Sequence, residues 1–284
     1  MGQRDDARTD QPDEAYTRLA KTGPYDVVIG SALITMVEPH HGCEHAYNRW
    51  YEDDHFYSGA MAMPWMFAGR RWVATRELQL LRYPDDSPVA QPVTLGPYIS
   101  TYWIFDGHYE DHLRWSIGLN QRLPGDDRAF NDRTHVYTSF QEYLGPVYRD
   151  AQGSRDIHSL DYPYQGLVVE VLDAPEGTER AALDEWLVDH LTGWLGDGPV
   201  AMTLRFAPLP LPADKMNHVE DLPGLDRRIT LLHLLDVDPR ACWEDRFAAR
   251  GAELREAGAP GEIVFAAPFL PTLPGTDRYV DQLR

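Results

Sequence analysis

The most constraining feature of this sequence is an order of segments that occurs twice. Read by hydrophobic period, the first half gives a strand at 26–37 (DVVIGSALITMV), then a helix from about Cys43 (Pro39 and Gly42 discourage an earlier start). The strands RRWVATREL and YISTYWIFD, the helix HYEDHLRWSIGLNQRL and the strand HVYTSFQEYL follow. After a polar stretch containing Gly and Pro, the order returns as GLVVEVLDA, ERAALDEWLVDHLTGWL, PVAMTLRFA, RITLLHLLDV, PRACWEDRFAARGAELREAG and EIVFAAPFL. Each half therefore reads β-α-β-β-α-β. One face of each half-sheet takes two helices, and the other must meet a second sheet or a ligand cavity. In YISTYWIFD both alternating sets are bulky, Tyr98 and Tyr102 on one face and Trp103 and Phe105 on the other, so both faces are expected to be covered.

The halves also correspond by residue. Tyr51-x3-His55 matches Trp186-x3-His190, and Asp106 and Asp236 end equivalent strands. On this alignment Leu231, Leu232, Leu234 and Leu235 stand where the first half has Thr101, Tyr102, Ile104 and Phe105. NRWYEDDHF followed by the basic GRRW resembles the first-helix signature of the dimeric α/β-barrel superfamily, with EthD-like proteins and small polyketide cyclases as the nearest likeness. The likeness is good over 26–80, weaker through 98–145 and architectural over 164–270. It implies two ferredoxin-like sheets meeting to enclose a barrel-like cavity, here within one chain. The expected fold is thus α+β: two tandem ferredoxin-like β-α-β-β-α-β repeats forming an intrachain dimeric α/β-barrel. The expected divisions are a mobile acidic tail at 1–24, a first repeat at 25–150, a linker at 151–163 and a second repeat at 164–284.

Charge narrows the partners. With 26 basic and 45 acidic residues the net charge is −19, which argues against nucleic acid or an anionic membrane surface. Two distant cysteines, no signal-like apolar run and no stretch of about 18 apolar residues point to a soluble, cytoplasmic chain, with a homo-oligomer possible. No phosphate-binding glycine loop or serine-hydrolase elbow is present.

The candidate chemistry lies in the first half, which holds seven of the eleven histidines. Tyr47, Tyr51 and His55 form one helical stripe. His55, an imidazole able to take and return a proton near neutrality, is the candidate acid/base. The resemblance implies that a helix histidine at this place faces the cavity. Asp54 is a candidate to orient it. Tyr51 and Tyr102 are candidate positioning or oxyanion-donating phenols. Candidate substrate-binding residues are Trp50, Arg71 (with Arg70 as a carboxylate fork), Tyr137, and His135, which by spacing shares the Tyr137 face. His190, the counterpart of His55, is the lesser candidate because its surroundings are aliphatic. His41 and His45, four apart, are a weak metal alternative. The expected function is cofactor-independent acid/base catalysis on a small hydrophobic, aromatic or polyketide-like molecule, by cyclisation, dehydration, decarboxylation or isomerisation. A cofactor-free oxygenase of a phenolic substrate, a metal or haem enzyme, and a non-catalytic small-molecule binder are the alternatives.

Overall fold

The computed structural model describes residues 26–63, 65–211 and 224–284. The tail expected at 1–24 and most of the Pro-rich excursion before Gly224 lie outside them. Eight antiparallel strands among the described residues close into a barrel: β1 (Ile29–Pro39), β2 (Met66–Val73), β3 (Tyr98–Phe105), β4 (Arg133–Tyr148), β5 (Gly166–Asp173), β6 (Val200–Pro208), β7 (Arg228–Leu235) and β8 (Glu262–Pro271). Their order around the barrel is β1-β3-β2-β8-β5-β7-β6-β4. The first repeat supplies β4-β1-β3-β2 and the second β8-β5-β7-β6. This is the dimeric α/β-barrel arrangement in one chain. A long ladder joins β4 to β6 and a two-residue pairing joins β2 to β8, so neither half-sheet is left with an open edge.

Strand periodicity divides the side chains. In β1, Ala32, Ile34 and Met36 point into the barrel while Leu33 and Thr35 point out toward the helices. The interior is filled by aromatic and aliphatic side chains of both repeats, among them Trp72, Trp103, Phe206, Phe265 and Phe269. Trp103 stacks on Phe206 at 5.3 Å between ring centres, and its indole N–H donates to Ser159 Oγ at 3.0 Å. The barrel-like cavity implied by the resemblance is therefore a packed core, and a cavity lies instead in the helix–sheet layer of the first repeat.

Outside the barrel, the first repeat carries α1 (Glu44–Trp50), its π-helical continuation Tyr51–Met61, the short α2 (Arg76–Gln79) and α3 (Tyr109–Arg122). The second carries α4 (Arg180–Leu195), α5 (Trp243–Arg246) and α6 (Arg250–Glu256). In α4, Leu183, Leu187, Leu191 and Leu195 recur every four residues and are fully buried against the sheet. The helix stops at Gly196, whose positive φ suits glycine.

Two elements differ from the sequence reading. RRWVATREL is not one strand: β2 ends at Val73, and extended Thr75 opens α2. PRACWEDRFAARGAELREAG is not one helix. Phe247 leaves helical geometry between α5 and α6, and its carbonyl accepts both the Tyr83 hydroxyl at 2.7 Å and the Arg250 N–H at 3.0 Å.

The strand alignment of the repeats also shifts by one. Tyr102 pairs with Leu33 and faces the helices, whereas Leu232 faces the barrel interior. Leu231, which packs under the second-repeat helices, is the counterpart of Tyr102 by facing.

Candidate functional site

The helix–sheet layer of the first repeat holds a cavity of about 770 Å³. Its floor is the outward face of the half-sheet, with Leu33, Thr35, Tyr102, Thr138 and Phe140. The π-helical segment forms one wall and α3 another, and the connections at 88–95 and 129–134 complete it.

Two local features open this space. The Tyr51–Met61 segment is wound wider than an α-helix, and the Ala62 N–H reaches back five residues to the Tyr57 carbonyl at 2.7 Å. Such segments recur at functional sites. Glycines then admit the candidate side chains. A Cβ on Gly59 would stand 2.3 Å from His55 Nδ1, and one on Gly69 would stand 2.6 Å from Tyr102 Cδ1. Neither approach tolerates a methyl group.

His55 is half-buried and lines the cavity. Its ring stacks on Trp50 at 4.3 Å and meets the Tyr51 ring edge-on at 5.2 Å. Burial, reinforced by the positive charge of Arg133 and His135, pushes its pKa down to about 3. The imidazole is neutral at pH 7. Tyr51 and Tyr102 meet hydroxyl to hydroxyl at 2.5 Å on the cavity wall. Burial, then the neighbouring Tyr51, raises the Tyr102 pKa well above the usual phenol value. Two hydroxyls sharing one hydrogen bond leave one O–H free to donate elsewhere.

Other candidates are placed differently. Arg71 is buried beneath α1, where its Nη1 donates to Glu52 Oε1 at 2.6 Å and to Asn48 Oδ1 at 3.0 Å. The Tyr51 and Tyr98 rings lie 4.2 and 4.5 Å from its guanidinium. It binds α1 to the sheet and does not line the cavity. Arg70 donates to the Tyr162 carbonyl at 2.5 Å, so the two arginines form no fork. Trp50 backs His55 from behind the wall, its indole N–H donating to the Arg128 carbonyl at 3.0 Å. Asp54 does not orient the imidazole; Arg128 and Ser58 hold it.

A bulge separates His135 from Tyr137. Met36 pairs with Tyr137 but Val37 pairs with His135, leaving Val136 as the extra residue. His135 Nδ1 lies 3.0 Å from Thr138 Oγ1 on the cavity side. The Tyr137 hydroxyl accepts from Gln141 inside the barrel at 2.9 Å. The shared face expected from their spacing is lost to that one residue. His41 lies in the turn before α1, because the helix begins only at Glu44, and His45 Nε2 lies 2.7 Å from Asp281 Oδ1. The two do not share a helix face, and no group of three or more potential metal ligands occurs among the described residues.

Sequence reasoning missed Arg133, which opens β4, lines the cavity and lies with its guanidinium 4.4 Å from the Trp50 ring centre. It lies just before HVYTSFQEYL, the segment expected as the strand, which starts two residues later than β4. Gly59, four residues after His55, was the available signal for a close ring–backbone approach and was also passed over.

No protein-family model and no curated protein matches this chain. Solved structures do. An anthrone oxidase-like protein superposes with a TM-score of 0.53 at 10% identity, covering 87% of this chain and 92% of the other. A chlorite dismutase from Candidatus Nitrospira defluvii gives 0.47 at 9% identity, covering 89% and 94%. An encapsulated DyP-type peroxidase from Mycobacterium smegmatis gives 0.47 at 10%, covering 92% and 95%. At these identities the likeness is one of fold, and an EthD-like assignment within that fold is not carried by it.

Proposed function

We propose that the first-repeat cavity is the active site of an enzyme that moves a proton on a small, largely aromatic, oxygenated molecule. One observation carries the reading. The cavity gathers His55, His135, Arg133 and the Tyr51–Tyr102 hydroxyl pair among apolar and neutral polar side chains, and no described lining residue is a carboxylate.

The chemistry follows from that set. A C–H beside a carbonyl, or a phenolic O–H, loses its proton to the neutral imidazole of His55. The electron pair moves onto the substrate oxygen, where the free O–H of the tyrosine pair and the charge of Arg133 stabilise it. Burial is the main cause of the weakened His55 base and would not acidify a neutral substrate, but the lesser contribution, the positive charge of Arg133, would favour the substrate anion. Return of the proton at another atom gives isomerisation or cyclisation. The alternative fate is reaction of the anion with dioxygen. For an anthrone, the CH2 group and O2 would become a carbonyl and water, a balanced step that needs no further reductant. The anthrone oxidase-like neighbour makes anthrone a sensible first probe for either fate.

The test is a panel of anthrones, naphthols and β-ketoacyl phenols followed by absorption, with wild type beside His55→Gln. Turnover lost in the variant by about 10²–10⁴-fold while binding persists supports the enzyme reading. Binding with no turnover across the panel would identify a carrier or sensor instead.

A further inference from the structure

We propose that Arg133 is an anion-recognition residue, so that the cavity selects molecules bearing a carboxylate or ionised phenol on an aromatic framework. This rests on the first-repeat cavity being the ligand site, but not on His55 performing chemistry there.

The surroundings of Arg133 carry the inference. The chain has 45 acidic residues, and the other arginines near α1 are matched to them: Arg71 with Glu52, Arg128 with Asp54, Arg49 with Asp277. Glu52, Asp54 and Asp277 are thereby engaged with other arginines. Asp132, next in sequence to Arg133, lies 3.9 Å from His40 Nδ1. Arg133 itself makes no ion pair and no side-chain hydrogen bond among the described residues.

A half-buried guanidinium without a counter-ion is costly unless something supplies one. The Trp50 ring at 4.4 Å steadies it by cation–π attraction but offers its N–H groups no acceptor, and none is found among the described residues. A carboxylate presented from the cavity satisfies two of them at once, in the bidentate geometry arginine favours. The apolar walls, with Leu113, Ile117, Phe130 and Phe140, suit the fused rings attached to it.

The test compares two probes of similar ring size at pH 7, neutral 1-naphthol and anionic 1-hydroxy-2-naphthoate, by calorimetric titration of the full-length protein. Wild type is expected to bind the naphthoate about 10–100-fold more tightly. Arg133→Gln should erase that preference while 1-naphthol affinity changes less than about threefold, and Arg133→Lys should retain part of it. Circular dichroism confirms that each variant is folded. No preference in wild type, a preference that survives Arg133→Gln, or no binding of either probe would overturn the proposal. His55→Gln separates the two readings, because it should keep the anion preference whatever it does to turnover. A preference intact beside a failed turnover screen leaves the anion site standing and removes only the enzyme.

Discussion

The two helix–sheet layers of this barrel share a plan and differ in what fills them. Under α4, α5 and α6 the space is solid, with four leucines of α4 interlocking with Val168, Leu172, Ile229, Leu231 and Leu235. Its buried histidine is held at both ring nitrogens: His233 Nε2 lies 3.0 Å from Glu170 Oε2 and its Nδ1 lies 2.8 Å from Thr203 Oγ1, all fully buried. Under α1 and α3 the corresponding space is open. The histidine stacks show how small the change is. Trp186 and His190, four apart in an α-helix, stack at 4.5 Å; Trp50, the last residue of α1, and His55 in the π-helical segment, five apart, stack at 4.3 Å. One extra residue per turn accommodates the same stack beside a cavity. In the second repeat His190 faces Arg250 at 3.0 Å within a packed layer. In the first, His55 faces open space. On the proposed reading, one duplicated layer serves stability and the other a ligand.

The contrast can be broken first where its effect is largest. Turnover should fall by about 10²–10⁴-fold in His55→Gln and stay near wild type in His190→Gln, as steady-state assays would show. Equal losses would erase the distinction between the layers. Next in size, His233→Leu strands Glu170 as a buried, unpaired carboxylate and should cost about 3–5 kcal/mol by urea denaturation. His55→Leu, at the edge of a cavity, should cost less than about 1 kcal/mol. Leu187→Ala in the packed layer should cost about 2–5 kcal/mol, and Leu113→Ala, beside space already open, clearly less. Filling the cavity with Ser116→Leu should weaken ligand binding with little loss of stability, whereas overpacking a solid core costs about 1–3 kcal/mol.

A separate contrast is one of pH. An imidazole whose folded pKa is about 3 binds fewer protons folded than unfolded between that value and its usual one. Its contribution to stability is therefore complete above about pH 6.5 and is lost as pH falls toward 3. His55→Gln should flatten that part of the stability–pH curve, while a variant of a fully exposed histidine should not.

Strand and helix order was legible because period two and period 3.6 are local properties, and the duplicated order fixed the barrel. Features set by a single residue were not. The bulge at Val136 turned His135 and Tyr137 to opposite faces, and the pattern HVYTSF carries no mark of it. The π-helical turn left no signature beyond Gly59. Arg71 read as a ligand fork because its partners, Glu52 and Asn48, lie about twenty positions away and meet it only in the fold. Arg133 was hidden at a strand boundary, where hydrophobic period is weakest. His55 stood out because a histidine ending an aromatic stripe is unusual in sequence alone, and it lies on the cavity wall.

Proton transfer localised to the first repeat is tested most directly by deuterium exchange into anthrone in D2O without oxygen, followed by proton NMR. Wild type and His190→Gln should exchange the C–H beside the ring system at similar rates, with His55→Gln slower by about 10²-fold or more. Exchange unaffected by His55→Gln, or lost equally in both variants, would contradict the assignment of that chemistry to the first-repeat cavity.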